Sequence, residues 1–144
     1  MAPQYWKHAM DRKILIIVEN LPVPFDTRVW QEATTLAANG YTVSVICPKG
    51  KGFDKEYEML DGVRIYRHDL PAEGNGPLGY AREYFTALKE EWRLARKVMR
   101  EVGFHVIHGC NPPHNIDMVA RRFRSLGVDY VFDHHDICPE LFEA

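Results

Sequence analysis

Lys13 to Val18 is a strongly hydrophobic, β-branched stretch whose last five residues, Ile14 to Val18, are unbroken apolar, and a second mostly apolar stretch, Tyr41 to Cys47, follows it. A strand that is apolar on both faces needs cover on both faces, which is how parallel sheets are built. Between the two runs lies a loop holding Pro22 and Pro24, then Asp26 or Thr27 as a candidate helix cap. Val29, Trp30, Ala33, Leu36 and Ala37 follow at helical spacing, and Asn39-Gly40 supplies a stop. Residues 13 to 48 thus predict one βαβ unit with a right-handed crossover.

The rest of the chain extends this pattern. Lys49 to Leu60 reads as a polar connection, and Val63 to His68 alternates as a half-exposed strand. The longest helix is expected over 78–102, with Ala81, Tyr84, Phe85, Leu88, Trp92, Ala95, Met99 and Val102 on one stripe. Phe104 to His108 predicts another buried strand, Gly109 to Pro113 a loop, and 115–126 a helix closed by Gly127. Asp129 to Asp133 is the last strand. The order β-α-β-β-α-β-α-β predicts an α/β class: a doubly wound, Rossmann-like parallel sheet with helices on both faces. Residues 1–12 read as a polar extension and 13–144 as the domain.

Composition removes several function classes. With 46% hydrophobic and 26% charged residues over 144 positions, there is ample material for a core. A net charge of -2 gives no electrostatic reason to expect nucleic acid, which calls for a concentrated basic surface. The basic clusters Arg93 to Arg100 and Arg121 to Arg124 fall within amphipathic helical patterns and read as solvated faces. Three cysteines, Cys47, Cys110 and Cys138, form an odd count without a secretory signal, so free thiols and a cytoplasmic location are expected. No apolar run approaches the roughly 20 residues needed to span a bilayer. Peripheral contact with the cytoplasmic face of a membrane stays open.

In an open α/β sheet, ligands bind just outside the carboxyl ends of the strands. Four such ends carry polar chemistry: Glu19 to Arg28, Cys47 to Gly52, Gly109 to His114, and Asp133 to Glu140. The stretch after the first strand has prolines and no glycine, so it lacks the backbone donors of a dinucleotide or phosphate loop. Asp26 and Arg28 have two readings, a helix cap with a solvated base, or a binder of an anion or hydroxyl at the helix start. His108, Cys110, His114, His134, His135 and Cys138 are metal-capable types, yet they lack the tight pairs of a zinc site, and no metal is expected. His135, flanked by Asp133, Asp136 and Glu140, is the strongest candidate for chemistry, since a histidine at a strand tip can orient a hydroxyl or neutralise developing charge.

Three blocks carry a family resemblance. They are Val18-Glu19-Asn20 followed by Asp26-Thr27-Arg28-Val29-Trp30-Gln31-Glu32-Ala33 with Leu36 and then Asn39-Gly40-Tyr41 to Pro48, next His105 to Pro113, and last Asp133-His134-His135-Asp136-Ile137-Cys138-Pro139-Glu140. Together they resemble the amino-terminal domain of family 4 glycosyltransferases over residues 13 to 144. The resemblance implies a GT-B architecture with the acceptor on this domain and a nucleotide-sugar donor held mostly by a second, carboxyl-terminal domain. It implies transfer with retention and neither cofactor nor metal. His135 would touch the donor sugar; Asp26, Arg28, Asn111, His114, Asp136 and Glu140 would line the substrate site. The acceptor would be a glycan or a lipid-linked sugar.

That donor domain lies outside the sequence, so we expect the front part of a larger enzyme, inactive alone and prone to self-association through an uncovered sheet edge. The rival is a non-catalytic Rossmann-like binding module, or partner subunit, that needs a separate donor domain.

Overall fold

The computed structural model describes residues 12–70, 76–110 and 116–134. Six strands form one sheet in the order β3-β4-β2-β1-β5-β6. These are β1 (Lys13–Val18), β2 (Thr42–Pro48), β3 (Tyr57–Leu60), β4 (Val63–His68), β5 (Val106–Cys110) and β6 (Asp129–Asp133). All neighbours pair in parallel except β3 with β4. Helices α1 (Thr27–Ala38), α2 (Gly76–Glu101) and α3 (Ile116–Arg121) supply the crossovers. The doubly wound α/β class read from the sequence is the class observed.

Alternation along β1 divides the core in two. Ile16 and Val18 face α1 together with Val29, Ala33, Val43, Val45 and Ile65. Leu15 and Ile17 face the other way, onto Leu94, Ala95, Val98, Phe104 and Ile107. Each such aliphatic side chain stabilises the fold by roughly 1.5–3 kcal/mol, so strands apolar on both faces hold the centre of the sheet. Asp26 caps α1, its Oδ1 accepting from the Val29 N–H at 3.1 Å, and Gly40 leaves the helix at a φ of 85°.

Several expectations need correction. The polar connection 49–60 contains β3, an antiparallel strand turned back by Asp61-Gly62 with φ of 47° and 80°. Both residues adopt positive φ, as a two-residue hairpin with the twist of its strands requires. Covered by β3 and α2, β4 is not half-exposed: five of its six residues are buried, Arg67 among them. The strand expected at 104–108 runs over 106–110, because Phe104 instead packs against Phe123 at 5.2 Å between ring centres. The last helix is shorter than 115–126, with α3 giving way to a 3₁₀ turn at Arg124–Leu126. Only the second half of the α2 stripe is covered; Tyr84 and Phe85 are exposed.

The basic clusters are solvated faces as read. Arg96 and Arg122 flank the Trp92 ring at 4.7 and 5.3 Å from its centre. No helix among the described residues is long and apolar enough to cross a membrane.

Candidate functional site

The parallel register brings the carboxyl ends of β1, β5 and β6 level, Val18 beside Cys110 and Cys110 beside Asp133. Residues two apart on a strand share a face, so His108 and Cys110 both point to the α1 side. Asp133 joins them there. Residues four apart on a helix share a face as well, and Arg28 and Glu32 of α1 stand over the same strand ends.

On this side the groups converge closely. His108 Nε2 lies 3.4 Å from Asp133 Oδ2 and 3.9 Å from Glu32 Oε2, while Arg28 Nη1 lies 3.9 Å from the same Asp133 oxygen. The Cys110 thiol is wholly buried, and burial pushes it up to about 12, with the carboxylates of Glu32 and Asp133 adding to the rise. Below the cluster an open apolar groove runs along the sheet between Ile14, Leu36, Val106 and Val131.

The opposite side of the same edge holds a second polar group. Glu91 of α2 is fully buried, and desolvation together with the neighbouring Glu19 carboxyl pushes it up to about 10. A proton therefore sits on this carboxyl pair at neutral pH. The hydroxyl of Tyr130 lies nearby and is buried, its phenol pushed up to about 12 by burial and by Asp117, Cys110 and Glu19.

Of the residues singled out in the sequence, Asp26 and Arg28 are at the start of α1, where Asp26 caps the helix and Arg28 reaches toward Asp133. Asn111, His114, His135, Asp136 and Glu140 lie outside the described residues, as does Cys138. Cys47 and Cys110 are free thiols. Glu19 falls in the first of the polar strand ends singled out in the sequence, whereas Glu32 and Glu91 are not among the expected site residues. Glu32 was open to discovery through its helical spacing from Arg28, whereas nothing in the sequence brings Glu91 to Glu19.

The C-terminal domain of a hydrogenase from Pyrococcus furiosus superposes with a TM-score of 0.64 at 17% identity, covering 85% of this chain and 90% of that one. Sucrose-phosphate synthase from Thermosynechococcus elongatus superposes with a TM-score of 0.65 at 20% identity, covering 92% of this chain but 35% of the synthase chain. These likenesses show a shared fold, of which the present chain spans about a third of the synthase. No curated protein matches the sequence. Residues 26–143 match the family described as glycosyl transferase 4-like domain, and the chain belongs to that family.

Proposed function

We propose that this chain is the acceptor-side domain of a retaining glycosyltransferase that moves a sugar from a nucleoside diphosphate to a glycan or lipid-linked acceptor in the cytoplasm. The observation that carries the reading is the family match over 26–143, which spans every polar loop at the carboxyl edge from Asp26 onward. In this reading the donor is held mainly by a second domain, and the cleft between the two is closed on this side by the ends of β1, β5 and β6. Asp26, Arg28, Asn111 and His114 bound the acceptor. Asp136 and Glu140 support the donor side, and His135 donates a hydrogen bond to the sugar as charge develops between its anomeric carbon and the departing diphosphate.

The choice of His135 over its neighbour rests on the family motif at this strand end. Asp133 faces His108, while the His134 ring lies 5.7 Å from that of Phe132. Adjacent residues on an extended segment would point to opposite faces, so one of the two histidines is expected to face the cleft, and the family motif selects His135. A protein containing both domains decides the matter: His135→Ala should lower kcat by roughly 10² to 10³, the usual effect of deleting one transition-state donor. His134→Ala should stay near wild type with folding intact. If His134→Ala is the crippled variant, the assignment fails. Residues 1–144 alone should bind uridine or guanosine diphosphate sugars negligibly in calorimetry, and tight binding would refute the division of labour.

The second reading, a binding module without its own catalysis, draws on the recurrence of this fold in a domain of a hydrogenase. Turnover by the two-domain protein separates the two.

A further inference from the structure

Four side chains able to ligate a metal meet at the α1 edge of the sheet. One donor atom from each of Glu32, His108, Cys110 and Asp133 lies within 4.8 Å of every other. A tetrahedral zinc ion with bonds of about 2.0–2.3 Å needs donor separations of roughly 3.3–3.8 Å. The His108 to Asp133 spacing of 3.4 Å already meets that range, and the His108 to Glu32 spacing of 3.9 Å nearly does. Bringing in the widest pair requires closure by about 1 Å. Glu32 can supply much of it, since its side chain is a third exposed and one carboxylate oxygen, Oε2, is buried without a hydrogen-bond partner.

We propose that Glu32, His108, Cys110 and Asp133 form a site for a divalent transition-metal ion of the zinc class, clipping α1 to β5 and β6. The donor types suit such an ion: one sulfur, one imidazole nitrogen and two carboxylates, a mixture that a purely oxygen-seeking cation would not select. As the metal–sulfur bond forms, the Cys110 thiol releases its proton to solvent. Thiolate and two carboxylates then exceed the ion's charge by one, and Arg28, 3.9 Å from Asp133, stands where a compensating cation belongs. The spacing in sequence conceals this set, because the four ligands come from one helix and two strands and share no short motif. The inference is independent of the glycosyl-transfer reading.

Cobalt(II) is the probe. The chain is freed of metal with a chelator and titrated with Co²⁺; the site predicts saturation at one ion per chain, a near-ultraviolet sulfur-to-cobalt band and intense visible bands of a tetrahedral ion, all bleached by Zn²⁺. Cys110→Ser should abolish the near-ultraviolet band, whereas Cys47→Ser and Cys138→Ser should leave it. Glu32→Gln should weaken Co²⁺ binding by about tenfold or more. Should Cys110→Ser fail to fold by circular dichroism, Glu32→Gln decides alone, its carboxylate being partly exposed and outside the core. Absence of a saturating band, a band that follows Cys47 or Cys138, or unchanged affinity in Glu32→Gln each overturns the proposal.

Discussion

Arg67 and Glu58 meet across the β3–β4 hairpin with Nη2 2.6 Å from Oε1, and the Arg67 side chain is wholly buried. Its guanidinium also donates to the Val23 carbonyl at 2.7 Å and the Lys55 carbonyl at 3.1 Å. One cation therefore ties the hairpin to the loop after β1, on which Asp26 and the start of α1 depend.

Glu58→Ala should destabilise the domain by about 3 kcal/mol, the low end for removing one partner of a buried pair, because Glu58 keeps some contact with water. The hydrogen bond from Arg67 holds the Glu58 carboxyl below its ordinary range. A lowered folded value means stability present above the unfolded glutamate range and lost as pH falls through the folded one. The gap between wild type and Glu58→Ala, measured by urea unfolding, should narrow on acidification; a constant gap would show that the ion pair is not its source.

Glu91 works in the opposite direction. Its folded value of about 10 lies above the unfolded one, so the native state holds an extra proton between them, and stability falls as pH rises through that window. Glu91→Gln keeps the shape and removes the titration. It should raise stability at pH 8 by about 1 to 3 kcal/mol and flatten the alkaline decline, because the native state no longer has to hold a proton that the unfolded chain releases. A variant that tracks wild type across the alkaline range would place the ionised carboxylate in a solvated site.

The sequence made the central sheet legible because its strands are apolar on both faces, a pattern few other structures can use. The hairpin was also written there: Asp61-Gly62 between Tyr57–Leu60 and Val63 is a strong turn signal, but the charged residues of 49–60 masked it. Burial of Arg67 could not be read from alternation, since it arises from a partner on a strand that the polarity of 49–60 concealed. The same holds at the candidate site. His108 and Cys110 were visible as residues, whereas Glu32 and Asp133 join them only through helix packing and the β5–β6 register. The pairing of Glu19 with Glu91 needs the three-dimensional crossover of α2, which no local pattern encodes.

Gly109 tests the packing beneath the site. A Cβ there would stand 2.7 Å from the Tyr130 hydroxyl and 3.0 Å from Ile116 Cγ2. Ile116 belongs to α3 and Tyr130 to β6, and the two pack between helix and sheet, so neither moves freely. Gly109→Ala should cost about 1–3 kcal/mol as overpacking, despite the better strand propensity of alanine. Thermal unfolding gives the answer, and an unchanged or raised Tm would mean that Tyr130 swings aside at no cost.

The two edges of the sheet differ in how they are guarded. β3 is short and flanked by Lys55 and Glu56, features that discourage pairing with another chain. β6 ends the sheet on the other side with Val131 51% exposed and Phe132 38% exposed, and among the described residues no strand pairs with its outer edge. An apolar, unpaired strand of this kind is a template for a second copy. Purified 1–144 should therefore self-associate with rising concentration in sedimentation analysis. Val131→Lys, placing a charge on the edge strand beside the open groove, should shift the population toward monomer without lowering the unfolding temperature appreciably. A wild-type chain that stays monomeric at high concentration would show this edge to be covered.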